Sequence, residues 1–425
     1  MSPTTVQIIG TTLFAVAILH TFCSGVFTEL AKKHPKHAGF WKLFAEVEFA
    51  FAFWAGMLIV FVALTAIGTD ITPFVAVTEY LGGLKFTEPL FVLAIMIVAA
   101  SKPVLLFASG VVQIVSRRLP VPRSIGFYFT VLAAIPLLSS LITEPAAMAL
   151  AAMILRETYY RKGISPRLMY ATIGVLFVNI SIGGTLTSFA APPVLMVASA
   201  WQWDSWFMLT HIGWRSALAV FINALLVSAI FRKELLEVKI EEPCENSRVP
   251  FSIILLHLLF LFLVVLFGHH PYVFICVLLV FLAFAYAYPR YQNRLLMHES
   301  LMVSCFLGGL VILGGQQNWW MQPLLASMGY TTAFYGTLAL TPFVDNAAIT
   351  YLASLVPNLT DEFKYAMMTG AIAGGGLTVI ANAPNPAGMA ILQGQFKNGK
   401  VHPLGLLLAA LLPTFIAAVA YRMMI

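Results

Sequence analysis

The sequence predicts an all-α polytopic membrane protein made of two inverted repeats, each with five transmembrane helices, one of them broken, and a re-entrant helical hairpin. The 425 residues are 60% hydrophobic and only 10% charged, whereas soluble domains average roughly 25% charged residues. Apolar stretches of roughly 20 residues, enough to cross a bilayer as a helix, recur along the chain. In addition, two motif blocks occur twice in the same order.

Ten apolar stretches are predicted to span the membrane: 5–28, 38–67, 88–115, 165–203, 205–231, 250–268, 271–289, 299–323, 363–396 and 402–424. Two further stretches, about 125–157 and 331–356, have an acidic cluster in the middle. Backbone that leaves a helix at membrane depth is tolerated only where protein or a cavity covers it. A re-entrant hairpin with the cluster at its tip satisfies this rule, and so does a discontinuous spanning helix.

The charge of the loops favours the hairpins. With two hairpins and the N-terminus outside, nearly every basic loop, including 29–40, 116–124 and 156–167, falls on the cytoplasmic side, as expected for membrane proteins. If both stretches spanned fully, 156–167 would lie opposite 116–124. We therefore predict a bacterial inner-membrane protein with both termini outside and a cytoplasmic linker at 232–249.

The repeated blocks define the two halves of the chain, 1–231 and 250–425. TEPAAMALAAMI at 143–154 matches VDNAAITYLASL at 344–355, and GGTLTSFAAPP at 183–193 matches GGGLTVIANAPNP at 374–386. Because each half has an odd number of spans, the second half is predicted to be upside down relative to the first. Inverted repeats of this kind place the binding site near the midplane, at discontinuous helices.

The second pair of blocks predicts broken helices at about 165–203 and 363–396. Glycine pairs relieve the helix there, and prolines cannot continue its hydrogen bonds. The oxygen-bearing side chains in these breaks are Asn179, Thr185, Thr187, Ser188, Thr378, Asn382 and Asn385. Unwound carbonyls and such side chains suit a hard cation, which prefers oxygen ligands. The alternative is two kinked helices packed closely through small residues.

The acidic clusters at the predicted tips contain Thr143 with Glu144, and Asp345 with Asn346. A carboxylate at membrane depth is costly unless it is paired or hydrated. Desolvation favours the protonated carboxyl, whereas a bound cation favours the carboxylate. Competition between a proton and a cation for one site is the minimum that an exchanger needs. The alternative roles are a structural ion pair or a cap at the start of the second hairpin leg.

Lys102 is an unusual charge near the middle of the predicted span 88–115. It is a candidate charge partner that pairs with a vacant carboxylate and releases it when a cation arrives. A structural partner or a residue at a locally wet boundary are the alternatives. Glu46 and Glu48 lie near the predicted cytoplasmic end of their helix, and Glu88 and Glu299 lie at predicted helix starts. Interfacial capping or hydration is the expected role of all four.

Several function classes lack support in the sequence. The four cysteines show no spacing typical of a metal site, there is no GxxxxGK[ST] motif for ATP, and no nucleophile–base pair is recognisable. The net charge of +6 is explained by basic loops and does not require nucleic acid. We predict no enzymatic activity, no cofactor, no metal beyond transported Na+ and no nucleic-acid partner.

The tips SSLITEPAAMAL (139–150) and LTPFVDNAAITYL (340–352), with the elements SFAAPPVL (188–195) and ANAPNPAG (381–388), resemble those of the ion transporter superfamily. That superfamily includes divalent anion/sodium symporters and Na+/H+ antiporters. LGGLVILGGQQNWWMQPLLASMGY (307–330) makes the chain most similar to a Na+/H+ antiporter family. The resemblance implies a homodimer in which hairpins and broken helices move together as a rigid, elevator-type transport domain.

The chain departs from the dicarboxylate carriers at both tips. Their neutral Ser-Asn-Thr tips become Thr143-Glu144-Pro145 and Val344-Asp345-Asn346, and the added negative charges disfavour an anionic substrate. We therefore expect a secondary transporter that exchanges Na+ or another monovalent cation for H+. The alternative is a Na+- or H+-coupled symporter of a small organic or inorganic anion, with Lys102 or an amide side chain binding the anion.

Overall fold

The computed structural model describes residues 3–240, 249–293 and 295–422, and in those ranges the chain forms α-helices joined by short 3-10 segments and one π-helical segment, Met208–Gly213, without strands. The helices of the first half are α1 Thr5–Phe22, α2 Ser24–Lys33, α3 Ala38–Ala45, α4 Val47–Thr65, α5 Pro73–Gly82, α6 Thr87–Ala99, α7 Lys102–Arg118, α8 Arg123–Ile142, α9 Glu144–Thr158, α10 Pro166–Gly183, α11 Pro192–Trp201, α12 Ser205–Phe207, α13 Trp214–Ile230 and α14 Arg232–Glu237.

The helices of the second half are α15 Phe251–Leu266, α16 Pro271–Ala287, α17 Met297–Gly314, α18 Asn318–Ala326, α19 Tyr330–Leu340, α20 Asn346–Ser354, α21 Asp361–Gly374, α22 Asn385–Leu392 and α23 Pro403–Arg422. The predicted linker 232–249 begins with α14, and its residues 241–248 lie outside the described part of the chain.

The chain is a multi-pass membrane protein. In the described residues, seven helical stretches are long and apolar enough to cross a membrane, or eight if α5 and α6, which meet at a 68° bend, form one span. The seven are α1, α4, α8, α10 with its 3-10 extension, α12 to α13, α17 and α23. The predicted spans 250–268 and 271–289 form the shorter apolar helices α15 and α16.

The chain's own caps fix several helix starts. Thr4 and Gln7 form a reciprocal capping box before α1. Ser165 accepts a hydrogen bond from the Leu168 amide (3.2 Å) before α10, whose first residue is Pro166. A proline is suited to this first position because its missing N–H would have no partner in the helix. The apolar sequence therefore folds into helices with defined ends.

Four predicted spans, 5–28, 38–67, 88–115 and 299–323, are each divided between two helices. In 88–115 the break lies just before Lys102. α6 ends at Ala99, Ser101 is extended (φ −67°, ψ 147°), and α7 begins at Lys102. Pro103 explains the break, because in a continuous helix its missing N–H would leave the Ala99 carbonyl unpaired and its ring would clash with that carbonyl. The prediction of one unbroken helix in these spans was wrong.

The helices pack mainly in two groups. The first bundle consists of α1, α4, α5, α6, α15, α16 and α17. The second bundle consists of α8, α9, α10, α11, α13, α19, α20, α21, α22 and α23. Between them, α7 packs against α8 of the second bundle and α15 of the first, and α20 touches α17. The two bundles thus share limited contacts.

The acidic segment of the first half folds back on itself. α8 and α9 pack against each other, and Tyr159, just after α9, donates a hydrogen bond to the Ser124 carbonyl at the start of α8 (2.6 Å). The chain reverses at Thr143, between the two helices. With 20 residues, α8 is also long enough to cross a membrane by itself.

The acidic segment of the second half consists of shorter helices than that of the first half. A turn at residues 341–344 follows α19, and Asp345 precedes α20. α19 packs mainly against α21, whereas α20 packs against α11 and α21. Because its helices have 11 and 9 residues, this segment is shorter than its counterpart in the first half.

Two helices of the second bundle are interrupted. After α10, a 3-10 turn at Gly184–Leu186 and an extended Thr187 lead to α11. After α21, the chain is irregular, with a 3-10 turn at Val379–Ala381, until α22. The halves cross here, since α9 of the first half packs on α22 and α20 of the second half packs on α11. Each acidic segment thus contacts the interrupted helix of the other half.

Candidate ion-binding site

Glu144 is the most deeply placed acidic residue of the site. It is the first residue of α9 and is fully buried. Its Oε2 accepts a hydrogen bond from Asn382 Nδ2 (2.8 Å), whereas its Oε1 has no hydrogen-bond partner in the described part of the chain. A buried carboxylate with an unpartnered oxygen is unfavourable. A proton or a cation on Oε1 would remove this penalty.

An unusual backbone conformation at Thr143 and a close approach by Gly184 flank the carboxyl. Thr143 has φ 69° and ψ 152°, a region that residues other than glycine rarely adopt. Gly184 faces the carboxyl so closely that a Cβ on it would lie 2.6 Å from Glu144 Oε1. The glycine therefore lets the backbone of the first broken helix approach the free oxygen.

Asp345 caps the start of α20. Its Oδ1 accepts hydrogen bonds from the amides of Ala347 (2.8 Å) and Ala348 (3.4 Å). The capping role considered from the sequence is therefore present. The residue is partly exposed and lines a small cavity of about 20 Å³, called here the inner cavity. The inner cavity is lined by Glu48, Phe306, Asp345, Val379, Ile380 and Asn382, with Val47, Ala383 and Pro386.

Asn382 connects the two acidic residues. Its Nδ2 binds Glu144, and the residue also lines the inner cavity beside Asp345. It is 1% exposed, and its Oδ1 has no partner among the described residues. The structure thus brings Glu144, Asp345 and Asn382 together.

Two further asparagines brace the crossing helices. Asn346 donates to Ser181 Oγ (3.4 Å) in α10. Asn385 donates to the carbonyls of Gly375 and Thr378, both at 2.8 Å, and so closes the irregular segment after α21. In both asparagines the amide nitrogen holds the backbone or a neighbour, which leaves the side-chain oxygen as the group able to bind an ion.

Five buried oxygen atoms near these breaks lack a hydrogen-bond partner within the described ranges: Thr143 Oγ1, Glu144 Oε1, Asn346 Oδ1, Asn382 Oδ1 and Asn385 Oδ1. Most buried polar atoms in proteins are hydrogen-bonded, so a group of exceptions requires an explanation. Oxygen is the ligand type that a hard cation prefers. The donor set is therefore chemically suited to a small cation.

The hydroxyl groups of the first broken helix are hydrogen-bonded within the protein. Thr185 pairs with Ser216 (2.7 Å), Thr187 donates to the Ser140 carbonyl (2.7 Å), and Ser188 pairs with Ser205 (3.1 Å). In the second broken helix, Thr378 donates to the Pro342 carbonyl (2.8 Å). These four candidates hold the irregular segments in place and are not joined to either carboxylate by a hydrogen bond.

Asn179 lies in a separate network. Its Nδ2 donates to the carbonyls of Leu132 (2.8 Å) and Val220 (3.2 Å), and its Oδ1 accepts from Asn223 (2.9 Å). All of its hydrogen-bonding atoms are thus engaged with α8 and α13. In this conformation the residue joins helices and has no free oxygen for an ion.

Lys102 is the first residue of α7 and is partly exposed. In the part of the chain that the structure describes, it forms an ion pair with neither Glu144 nor Asp345. The conformation seen here therefore does not bring the candidate charge partner to the carboxylates.

A larger cavity of about 770 Å³, called here the outer cavity, lies where α6 and α15 of the first bundle face α11. Its polar lining residues include Glu88, Ser188, Ser199, Gln202, Asp204 and His269. The outer cavity reaches the first broken helix at Ser188 and Phe189, which correspond by position in the repeat to Val379 and Ile380 of the inner cavity.

Sequence reasoning missed three contributors. Glu48 reaches the inner cavity, Ser181 holds Asn346, and Gly184 makes room for Glu144. Gly184 had a sequence signal in the repeated glycine pair. Glu48 had one in the acidic pair of FAEVEFAF, which indicated only an interfacial role, because nothing in a single sequence shows which helix packs against which tip.

The apolar helices define a multi-pass membrane protein, and the family to which it belongs is one of membrane transporters. The chain belongs to the family described as "Putative Na+/H+ antiporter", whose sequence model matches residues 5–424. Comparison with curated proteins gives no match. Among solved structures, the YdaH transporter of Alcanivorax borkumensis is 12% identical, with a TM-score of 0.46 over 88% of this chain and 96% of that chain. A likeness at that level supports no conclusion about the substrate.

Proposed function

We propose that the protein exchanges Na+, or another monovalent cation, for H+ across the bacterial inner membrane, and that Glu144 and Asp345 bind the exchanged ions. The observation that carries the proposal is the fully buried Glu144 carboxyl with a free Oε1, held by Asn382 at the point where both halves meet. The oxygens of Asn346, Asn382, Asn385 and Thr143 would complete the coordination of the cation. The transport proposed here includes no chemical reaction and no cofactor.

Exchange follows from the electrostatics of one shared site. With a proton on Glu144 the group is neutral, and burial favours this form. With Na+ near Oε1 the carboxylate is neutralised by the metal charge instead, and the proton leaves. Because either ion satisfies the same group, binding one favours release of the other. The Asn382 amide can donate to Oε2 in both states, so its hydrogen bond is kept throughout.

The two bundles support an elevator-type movement. Both acidic segments and both interrupted helices belong to the second bundle, so an ion bound there moves with it. On our proposal the first bundle remains fixed in the membrane and forms the homodimer, with both chain termini outside. The outer cavity is wide and the inner cavity is small, a difference expected if one access route is open while the other is closed.

An anion symporter is the competing function, and the outer cavity is the observation that favours it. A space of about 770 Å³ is large enough for a small organic solute. However, Glu88 and Asp204 line this cavity, and their charges would repel an anion. The cation exchanger therefore remains the better supported function.

Reconstituted liposomes with a trapped pH-sensitive dye test the proposal. We expect an imposed Na+, Li+ or K+ gradient to drive proton movement without any organic solute. Glu144→Gln and Asp345→Asn should abolish it, since each removes a charge while keeping the shape of the side chain, and Asn still caps a helix. Glu299→Gln, which changes an exposed carboxylate on α17, is the matched control. Proton movement that required an added anion would contradict the proposal.

A further inference from the structure

Glu48 is an acidic residue that the exchange site described above does not use. It is the second residue of α4, in the first bundle, and it follows Glu46, whose backbone is extended (φ −79°, ψ 125°). Glu48 lines the inner cavity together with Asp345 and Asn382 of the second bundle. The inner cavity is therefore the place where a carboxyl group of one bundle faces the proposed ion site of the other.

The inner cavity has the properties of a site for one water molecule. Its volume of about 20 Å³ exceeds the roughly 10–15 Å³ that a water needs. Its polar lining consists of Glu48, Asp345 and Asn382, while the other lining residues are apolar. Asn382 is 1% exposed and its Oδ1 is unpartnered within the described ranges. A buried water requires two to four polar partners, and these three residues supply them.

A line of ionisable groups connects this cavity with the protein surface. His298, at the start of α17, lies 2.9 Å from Glu46 Oε1, and the two side chains are 50% and 33% exposed. Glu46 and Glu48 lie two residues apart at the start of α4, and Glu48 shares the inner cavity with Asp345. His298, Glu46, Glu48 and Asp345 thus form a path from the surface to the ion site.

We propose that Glu48 is a proton-relay residue, which carries protons between Asp345 and the aqueous side of the membrane at which α4 and α17 begin. A proton leaves the Asp345 carboxyl for a water in the inner cavity, and that water gives a proton to the Glu48 carboxylate. The proton then passes to the Glu46–His298 pair at the surface. One proton leaves Asp345 and one reaches the surface, and the freed carboxylate is ready for Na+.

The position of Glu48 restricts the relay to one side of the membrane. Glu48 belongs to the first bundle and Asp345 to the second. If the second bundle moves, Asp345 leaves Glu48 behind, so the relay operates only in the arrangement seen here. Protons would therefore be exchanged through this path on one side of the membrane only. This inference rests on the proposed Na+/H+ exchange and adds a residue to it.

Glu48→Gln in reconstituted liposomes tests the relay. We expect Na+-driven proton movement to fall by at least about 10-fold, since a positioned proton-transfer group contributes large rate factors. Equilibrium binding of radioactive Na+ to the purified variant should equal that of the wild type, because Glu48 is not a ligand. Glu48→Asp should restore part of the rate. Added formate, a small proton carrier, should also accelerate Glu48→Gln, which a merely structural defect would not allow.

Glu299→Gln is the matched control, because it neutralises a nearby exposed carboxylate outside the path. Unchanged proton movement in Glu48→Gln, beside an active wild type, would overturn the relay and leave the exchange proposal intact. Loss of Na+ binding in Glu48→Gln, or no acceleration by formate, would also overturn it. A wild-type protein without any Na+-driven proton movement would instead refute the exchange, and the relay with it.

Discussion

Glu144 combines full burial, one hydrogen bond and one oxygen without a partner among the described residues. On our proposal, this combination makes it responsive to both protons and cations. The hydrogen bond from Asn382 is the interaction most open to a test, because it joins the two halves of the chain at 2.8 Å. Hydrogen bonds to charged groups contribute roughly 1.5–3 kcal/mol. The amide therefore stabilises the carboxylate that a cation needs.

At Asn382, substitution by Ala removes that donor. We predict that the apparent Na+ affinity falls by at least about 10-fold, since 1.4 kcal/mol corresponds to one factor of ten. The measurement is the Na+ dependence of proton movement in liposomes. Asn293→Ala, which changes an exposed asparagine, is the control and should behave as the wild type. Equal Na+ affinities in both variants would show that Asn382 does not support the site.

The strained backbone at Thr143 allows a prediction about stability. Its backbone conformation, φ 69° and ψ 152°, is one in which only glycine is unstrained, and the strain costs roughly 1–3 kcal/mol. Thr143→Gly should therefore raise the thermal midpoint of the purified protein. Thr143→Ser, which keeps both the Cβ and the hydroxyl, should leave it unchanged. A midpoint for Thr143→Gly at or below that of Thr143→Ser would contradict the strain.

At the scale of elements, the approach of the first broken helix to α9 depends on Gly184. A Cβ at this position would lie 2.6 Å from Glu144 Oε1 and 2.8 Å from its Cγ, well inside van der Waals contact. Gly184→Ala is predicted to displace the carboxyl and to abolish exchange while the protein still folds. The control is Gly308→Ala in α17, where a Cβ would meet nothing within 4 Å. Exchange at the wild-type rate in Gly184→Ala would exclude this close approach.

Most of the helix interruptions and acidic turns around the site could be predicted from the sequence. The glycines and prolines of 183–193 and 374–386 mark the interruptions, because both residue types disfavour a continuous helix. The charges of Glu144 and Asp345 mark the acidic turns. Pro103 also marks the break between α6 and α7, although the mostly apolar stretch 88–115 is long enough for a single span.

The free oxygens could not be predicted in the same way. Thr185 and Asn385 both lie in a broken helix, yet the Thr185 hydroxyl pairs with Ser216 of α13, whereas Asn385 Oδ1 has no partner among the described residues. Which oxygens remain available depends on neighbours distant in the sequence. The same holds for Glu48, which reaches Asp345 only because α4 and the second bundle meet at the inner cavity.

For the whole molecule, the proposed elevator-type transport requires the second bundle to move relative to the first. Val47 of the first bundle and Ile380 of the second both line the inner cavity, so their distance should change during transport. We predict that Val47→Cys with Ile380→Cys, joined by a short thiol-reactive cross-linker through two disulfide bonds, stops exchange, and that a reductant, which cleaves those disulfides, restores it. Both cysteines are introduced into a protein whose four native cysteines have been replaced with Ser, so that the cross-linker reacts only at the two new positions.

The control for this experiment joins a residue of the first bundle to one that directly follows a helix of the same bundle. Tyr80 of α5 and Gln316, just after α17, are hydrogen-bonded at 3.3 Å. Cross-linking Tyr80→Cys with Gln316→Cys should leave exchange unchanged, because both residues move together. Continued exchange in the fully cross-linked Val47–Ile380 variant would contradict a rigid-body movement between the bundles.

The proposed exchange depends on the claim that a proton and a cation compete for the buried carboxylates. Its most direct test is to add Na+ to purified, weakly buffered protein and to measure proton release with a pH indicator. We predict release by the wild-type protein and by Glu299→Gln, and none by the double variant Glu144→Gln, Asp345→Asn. Absence of proton release from the wild type, or equal release from the double variant, would contradict the claim.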